Sequence, residues 1–347
     1  LQRLLDSGDA YYCTCSPDEV AAMRQAAMAS GSKPKYDGRC RERGLSRTDD
    51  AVIRFKAPLT GTTVVEDVVK GNIVFQNREQ DDFVICRSDG TPTYNFVVVV
   101  DDVTMGITTV IRGDDHLMNT PKQILLYKAL GAPLPVFGHV PMVLGKDKTR
   151  LSKRHGATSV TAYRDMGYLP DAFINYLVRL GWSHGDQEFF TRPELIEKFN
   201  LDNIGKSAGV FDTDKLTALN ADHIRAASVR RLAPQVLPFL QNNGYDARQD
   251  DYLDAVIETL HTRSNTLVEM AEGAHFYYRD DVRPYDAKAA TKFLTPQAAT
   301  SLTLLAAALE ALDSLRQENQ EAAFKQVMDR TGLGFGKIAQ PVRVALT

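Results

Sequence analysis

The sequence GKDKTRLSKRHG occupies residues 145 to 156 of this chain. It follows the apolar run 140–144, is bounded by glycines, and contains five lysine and arginine side chains but a single acid. We therefore expect a flexible cationic loop at the end of a strand. Such a loop is either a solvated connection or a phosphate-binding element, because mobile cationic groups can close on a polyphosphate and stabilise charge that develops in the transition state.

Length and composition are those of an ordinary globular protein. The 347 residues suffice for two or more domains, and a net charge of -3 means that any nucleic-acid surface is local. No apolar run approaches the roughly 20 residues of a membrane span. Four cysteines do not form a disulfide framework, so we expect a reducing compartment, the cytoplasm. Leu1 already lies in a helical pattern, so we expect that more protein precedes it.

The first part of the chain mixes helical and β-prone segments. A capping box at Ser16 to Glu19 predicts a helix, and short β-prone runs between 51 and 87 predict an antiparallel sheet with hairpins. Basic side chains lie between these elements, where they form either a solvated loop or a set of phosphate contacts. They are Lys33, Lys35, Arg39, Arg41, Arg43 and Arg47.

Residues 96–144 show the pattern of a parallel α/β sheet. The apolar runs 96–100 and 107–111 are continuous rather than alternating, which predicts strands that are covered on both faces. A helix with a capping box at Thr120 and a third strand at 136–144 follow. Strand, helix, strand and loop make half of a nucleotide-binding fold.

Polar side chains follow these predicted strands, where an open parallel sheet binds its ligands. Arg112 suits a carboxylate ligand because its planar guanidinium can bind one through two hydrogen bonds. Asp115 and His116 come directly after it. The simpler alternatives are a surface salt bridge for Arg112 and a helix start without chemistry for His116.

The remainder of the chain has a helical pattern. From about residue 212 onward it predicts only helices, with an Ala/Leu-rich segment at 304–312 that fits close helix packing. The aromatic run 276–278 either packs in a core or stacks on nucleic-acid bases.

Several segments resemble, in order and with short spacers, the bacterial-type glutamyl-tRNA synthetases, a family of class I aminoacyl-tRNA synthetases. They are SDGTPTYNF (88–96), VIRGDDHLMNTPKQ (110–123), GHVPMVLGKDKTRLSKRHGATSV (138–160) and GYLPDAFINYLVRLGWSHGD (167–186). Residues 150–154 resemble the Lys-Met-Ser-Lys-Ser signature in its Leu-Ser-Lys-Arg form, with Arg150 where the signature usually begins with Lys.

The resemblance implies an α/β plus all-α fold. The expected parts are an inserted α+β domain that binds the tRNA acceptor end (1–93), the second half of a Rossmann-like nucleotide-binding domain (94–155), a helical stem-contact domain (156–227) and a helical anticodon-binding region (228–347). The family's other signature, His-Ile-Gly-His, is expected upstream of residue 1. We therefore expect that these 347 residues alone do not form an adenylate.

The activity that the resemblance implies is ATP-dependent ligation of glutamate to tRNA(Glu) through a glutamyl-adenylate, with Mg²⁺, by a monomer. Lys153 is the implied catalytic residue. The implied ATP-binding residues are Lys153, Arg150, Ser152, Arg154, Asp115 and His116, and the implied glutamate-binding residues are Tyr94, Val98 and Arg112.

Three cysteines could supply thiolates to a structural Zn²⁺, which takes four ligands. They are Cys13, Cys15 and Cys40, and some members of the family hold zinc at the corresponding place. Glu42 stands where those members have a fourth ligand, His. The alternative is three reduced, partly buried thiols.

Three other functions remain open. A glutaminyl-tRNA synthetase shares the architecture but is expected to carry a β-barrel anticodon region, which a helical C-terminal part argues against. A paralogue that glutamylates a tRNA base lacks the anticodon region. A non-catalytic tRNA-binding fragment is the alternative from another class, and the sequence leaves open whether tRNA(Gln) is also charged.

Overall fold

The computed structural model describes residues 1–152, 159–281 and 283–346. The chain forms two compact units, one made of residues 1–155 and 175–212 and the other of residues 156–174 and 213–347. The strands are β1 (Ala10–Cys13), β2 (Val52–Phe55), β3 (Thr62–Asp67), β4 (Gly71–Gln76), β5 (Val84–Cys86), β6 (Thr109–Gly113) and β7 (Val136–Val140).

The helices of the first unit begin with α1 (Gln2–Asp6) and α2 (Pro17–Ala29), followed by α3 (Tyr94–Met105) and α4 (Thr120–Ala129). Helix α6 (Pro170–Arg179) belongs to both units, and α7 (Arg192–Lys198) belongs to the first. The capping box predicted for α2 is confirmed, with Ser16 and Glu19 bonding reciprocally.

Two sheets form the first unit. One is antiparallel with the strand order β1-β2-β5, and the other has the order β4-β3-β7-β6. The single antiparallel sheet expected at 51–87 is therefore wrong, because the β3/β4 hairpin joins β7 in parallel instead. The two sheets share one core, in which Phe55 and Val65 meet Leu126 of α4. Burial of one face of β3 against that helix explains this pairing, since α4 covers the sheet that contains β7.

The predicted strand, helix and strand around residue 120 are confirmed. Strands β6 and β7 are parallel neighbours joined by α4, and α4 is buried over most of its surface. The capping box predicted at Thr120 is wrong, because Asn119 precedes the helix and makes no side-chain cap.

The apolar run 96–100, predicted as a strand, is helical and forms the centre of α3. Phe96 and Val99 are buried on one face at helical spacing, and Gly106 ends the helix in a left-handed conformation with φ of 68°. Packing of that face against the core has outweighed the low helix propensity of successive valines.

The second unit is helical, as predicted. Its helices are α5 (Val160–Asp165), the start of α6, α8 (Thr213–Ala226), α9 (Val229–Asn242), α10 (Asp251–Leu260), α11 (Leu267–Gly273), α12 (Ala287–Phe293), α13 (Pro296–Glu310), α14 (Gln317–Thr331) and α15 (Phe335–Leu346). Helices α8 to α11 enclose one core, and α13 to α15 enclose another around Leu305 and Val327. Tyr277 and Tyr278 pack against the first core, which favours a structural role for them over base stacking. Among the described residues, no helix is both long and apolar enough to cross a bilayer.

Candidate active site

The carboxyl ends of β6 and β7 define the candidate site. Arg112 lies near the end of β6, directly beside His139 of β7 in the parallel register. A 3-10 segment, Asp114–Asn119, follows β6 at once and leads into α4. Sheet pairing thus places the polar residues after β6 next to the segment that follows β7, as the strand-end rule predicts.

Arg112 is half-buried and anchored from behind by three side chains. Its Nε donates to His139 Nε2 at 3.2 Å, and its Nη2 donates to Thr120 Oγ1 at 2.9 Å and to Gln123 Oε1 at 2.6 Å. These bonds also explain why Thr120 and Gln123 do not cap α4. Burial lowers the pKa of Arg112 below its ordinary value, an effect that the nearby Tyr94 opposes.

His139 is fully buried and pairs with the carboxylate of Asp67. Its Nδ1 lies 2.5 Å from Asp67 Oδ2, and both side chains are excluded from solvent. Asp67 Oδ1 accepts three backbone N–H groups, those of Val69, Lys70 and His139. Burial alone would raise the pKa of Asp67, but these hydrogen bonds and that from the imidazole lower it, so the carboxylate is ionised.

Tyr94 and Val98 lie one helical turn apart near the start of α3, so they share a face of that helix. The Tyr94 ring is half exposed, and its Oη lies 3.5 Å from His116 Nδ1. Because Tyr94 also interacts with Arg112, the structure brings Tyr94, Arg112 and His116 together. The site therefore places the fixed cation of Arg112 beside the phenol of Tyr94 and the imidazole of His116.

The base of the cationic loop is a tight hairpin. Leu144 pairs with Arg150, and Gly145 N donates to Thr149 O at 2.8 Å. The turn places Lys148 in a left-handed conformation with φ of 60°, which is uncommon for a residue other than glycine. The loop therefore leaves β7 along a defined path as far as Ser152. Lys153 and Arg154, the main phosphate-binding candidates, lie outside the described residues.

Asp115 links the loop to the strand ends. Arg150 Nη1 lies 3.1 Å from Asp115 Oδ2, in a pair that is 68% and 34% exposed. Gly113 makes this approach possible, because a Cβ at that position would lie only 2.6 Å from Asp115 Oδ1. The neighbouring Asp114 is paired with Lys70 at 2.8 Å.

The three cysteines also come together. The Sγ atoms of Cys13, Cys15 and Cys40 lie within 4.8 Å of one another, with 3.6 Å between those of Cys15 and Cys40. The Tyr36 hydroxyl lies 3.4 Å from Cys13 Sγ and 3.7 Å from Cys15 Sγ. Burial raises the pKa of Cys15 to about 11. For Cys40 burial acts in the same direction, but hydrogen bonds, first that from Tyr36, lower its pKa to about 7.

Glu42, predicted as the fourth metal ligand, does not join this cluster. Its carboxylate is 75% exposed and lies 3.0 Å from Lys56 Nζ and 3.6 Å from Arg41 Nε. The oxygen atom that lies beside the thiols is the hydroxyl of Tyr36. The sequence did not indicate Tyr36, because the ligands expected from the family are cysteine and histidine.

Several basic side chains between 33 and 47 pair with acids. Lys33 meets Glu79 at 2.6 Å and Arg39 meets Asp37 at 2.8 Å, and such exposed pairs contribute little and exchange readily for other anions. Arg41 differs because it is nearly buried and holds Asp82 at 2.7 Å. Its role is therefore structural.

The described part of the chain contains most of the residues that the sequence singles out, and it adds to the site four residues that the sequence did not assign to it. Asp67, His139, Thr120 and Gln123 form the support behind Arg112. His139 could have been suspected from its place in the strand that leads to the cationic loop, whereas the local pattern at Thr120 and Gln123 indicated a helix cap instead of a site.

Comparisons with known proteins agree on one family. A family model described as the catalytic domain of class I tRNA synthetases (E and Q) matches residues 1–218, and one for an anticodon binding domain matches residues 231–347. The glutamate–tRNA ligase of Desulfosudis oleivorans is 62% identical over 347 residues, which is all of this chain and 74% of that protein. That of Geobacter sulfurreducens is 56% identical, again over 74% of its length.

Solved structures point the same way. The crystal structure of a glutamate tRNA ligase from Elizabethkingia meningosepticum, in complex with its amino acid, superposes with a TM-score of 0.85 at 28% identity. The match covers 100% of this chain and 75% of that one. The family expected from the sequence segments is confirmed, together with its mixed α/β sheet domain and its helical anticodon-binding domain. The chain belongs to the class I aminoacyl-tRNA synthetases, in the family of the glutamate–tRNA ligases.

Proposed function

We propose that this chain takes part in the ATP-dependent ligation of glutamate to tRNA(Glu), as the larger part of a glutamate–tRNA ligase. The observation that carries the proposal is Arg112, a cation fixed near the carboxyl end of the parallel strand β6, beside Tyr94 and next to the base of the cationic loop. A fixed, half-buried guanidinium selects a carboxylate over a neutral amide, because an amide would leave the charge without a partner.

In the first step an oxygen of the glutamate α-carboxylate attacks the α-phosphorus of ATP. A P–O bond forms, the bond to the β-phosphate breaks, and pyrophosphate leaves. A hydroxyl of the terminal tRNA ribose then attacks the adenylate carbonyl and AMP leaves. Arg112 and Tyr94 would hold the side-chain carboxylate with Val98 beside it, Asp115, His116, Arg150 and Ser152 would line the ATP site, and Lys153 and Arg154 would meet the phosphates. The work of the protein is positioning and charge stabilisation.

Mg²⁺ is expected to arrive bound to the ATP phosphates. The nearest carboxylates do not make a protein site for it, because Asp114 is paired with Lys70 and Asp115 with Arg150.

The division into parts that the family implies is also proposed. Residues 1–93 would bind the acceptor end of tRNA, 94–155 would form the second half of a Rossmann-like domain, 156–227 would contact the stem and 228–347 would bind the anticodon, in a monomer. Exposed basic residues such as Lys33 and Arg39 would meet backbone phosphate. The helical nature of the last part favours a glutamyl over a glutaminyl enzyme.

A structural Zn²⁺ fits the thiol cluster. Tetrahedral ligation with Zn–S bonds of about 2.3 Å separates two sulfurs by about 3.8 Å, close to the 3.6 Å between Cys15 and Cys40. Cys13, Cys15 and Cys40 would supply thiolates and Tyr36 the fourth ligand, an oxygen. The metal would join the loop before α2 to the segment around residue 40.

The test of the main proposal is glutamate-dependent ATP–pyrophosphate exchange, in the presence of tRNA(Glu), by the ligase that carries this chain. Exchange should be stimulated by glutamate and not by glutamine. Replacing Arg112 with Gln should lower kcat/KM for glutamate about 30-fold or more, since truncating one member of a desolvated charge pair costs about 2–5 kcal/mol. Equal stimulation by the two amino acids, or an unaffected variant, would refute the proposal.

A further inference from the structure

We infer that the buried pair Asp67 and His139 positions Arg112 for glutamate by fixing the imidazole in the tautomer that carries its proton on Nδ1. This inference rests on the proposed role of Arg112 as the glutamate-binding cation. It assigns a function to two residues that touch none of the substrates in the proposed scheme.

The tautomer follows from the identity of the donors. Arg112 Nε always carries a hydrogen, so at 3.2 Å from His139 Nε2 it requires a lone pair on that nitrogen. The Thr120 hydroxyl, at 3.0 Å, shares the same acceptor. The imidazole proton is therefore on Nδ1, where it is donated to Asp67 at 2.5 Å.

Asp67 enforces this arrangement because its two oxygens have different tasks. Oδ1 is held by the backbone N–H groups of Val69, Lys70 and His139, so the carboxylate cannot rotate without losing them. Oδ2 is left to face Nδ1, and an ionised oxygen accepts only. Asp67 of β3 therefore holds the proton of His139, which lies in the neighbouring strand β7, on Nδ1.

The consequence for Arg112 is that one edge of its guanidinium is committed to the protein. Nε is taken by His139 and Nη2 by Thr120 and Gln123, which leaves the N–H groups of Nη1 as the donors that these supporting residues do not engage. The substrate carboxylate would therefore meet Arg112 through Nη1 beside the Tyr94 hydroxyl, rather than through the two-nitrogen fork expected from the sequence. A cation held from three directions does not swing to accommodate a neutral side chain.

The nearly isosteric change Asp67→Asn tests the mechanism. The amide oxygen must remain on the three backbone donors, so the amide NH₂ faces His139 Nδ1. The imidazole proton then moves to Nε2, where it opposes Arg112 Nε–H donor to donor. Arg112 has to shift, and the KM for glutamate should rise about 10- to 100-fold, the effect typical of losing the partner that orients a ligand-binding group. The KM for ATP should change by less than about threefold.

Two substitutions of the imidazole form a matched pair. His139→Gln places an amide oxygen near the Nε2 position and keeps an acceptor for Arg112, so glutamate KM should stay within about threefold of the parent. His139→Asn keeps a donor to Asp67 but offers Arg112 nothing, so it should behave like Asp67→Asn. In the His139→Gln background, Asp67→Asn should have no further effect on glutamate KM. His139→Asn also keeps the inference testable should Asp67→Asn fold poorly.

The experiment combines kinetics with a direct observation of the tautomer. Long-range ¹H–¹⁵N NMR correlations on the ligase that carries this chain report which ring nitrogen is protonated, and the signal of His139 is the one that is absent in His139→Gln. We expect an Nδ1 proton on His139 in the parent and an Nε2 proton in Asp67→Asn. An Nε2 proton in the parent, or unchanged glutamate KM in both Asp67→Asn and His139→Asn, would overturn the inference. Arg112→Lys distinguishes failure of the proposed function from failure of the positioning role. If this variant has an unchanged glutamate KM, Arg112 does not bind glutamate and the proposed function fails. If Arg112→Lys raises the glutamate KM while Asp67→Asn does not, only the positioning role fails.

Discussion

A single added methyl group at Gly113 should uncouple the cationic loop from the strand ends. A Cβ at this position would lie 2.6 Å from Asp115 Oδ1 and 3.0 Å from Met142 Sδ, the first roughly an ångström short of an ordinary contact. Both atoms belong to side chains that can rotate, so the fold should survive Gly113→Ala. Rotation of Asp115, however, breaks its 3.1 Å pair with Arg150.

We expect Gly113→Ala to lower the stability of the protein slightly and its activity more strongly. The exposed pair contributes about 0–1 kcal/mol and a side chain forced off its rotamer costs about 0.5–1.5 kcal/mol, so the melting temperature should fall by about 2–6 °C. Activity should fall further, about 10- to 100-fold in the rate of ATP–pyrophosphate exchange, because the loop that is to meet ATP loses its anchor.

Gly181→Ala is the matched control for this experiment. A Cβ at Gly181 meets nothing within 4 Å, and the residue belongs to the same unit. It should leave both melting temperature and exchange unchanged. If Gly113→Ala exchanges pyrophosphate as fast as Gly181→Ala, the contact between Asp115 and Arg150 has no part in activation and the argument is refuted.

Three further outcomes are expected. Metal analysis should find less zinc in Tyr36→Phe than in the parent and an unchanged amount in Glu42→Ala; the opposite order would restore Glu42 as the ligand. Asp82→Asn should lower the free energy of unfolding by about 3 kcal/mol, because it removes the negative charge that pairs with the nearly buried Arg41, and a denaturant titration showing no loss would contradict the structural role of that arginine. Gly167→Ala should destabilise the helical unit more than Gly332→Ala does, since its Cβ would lie 2.6 Å from the backbone nitrogen of Val268, and equal melting temperatures would be inconsistent with that contact.

The sequence predicts correctly those helices and strands that are marked by helix caps or by a hydrophobic period. The capping box at Ser16, the β6, α4 and β7 succession and the helices after residue 212 follow from caps and hydrophobic period, and the structure contains them. The strand predicted at 96–100 is a helix, and the prediction is wrong because a fully apolar segment rich in β-branched residues has no period that distinguishes a buried helix from a buried strand. Packing of Phe96 and Val99 decided between the two.

Local patterns and motifs are enough to predict the family, the position of Arg112, Asp115 and His116 after a strand, and the three cysteines that cluster. The side chains that support these residues follow from contacts between distant parts of the chain. Asp67 reaches His139 because β3 pairs with β7, and Tyr36 reaches the thiols because a long loop folds back over them. Contacts of this kind join residues far apart in the chain, and neither period, cap nor turn chemistry encodes which distant segments will be neighbours, since that depends on how all the apolar faces are buried together.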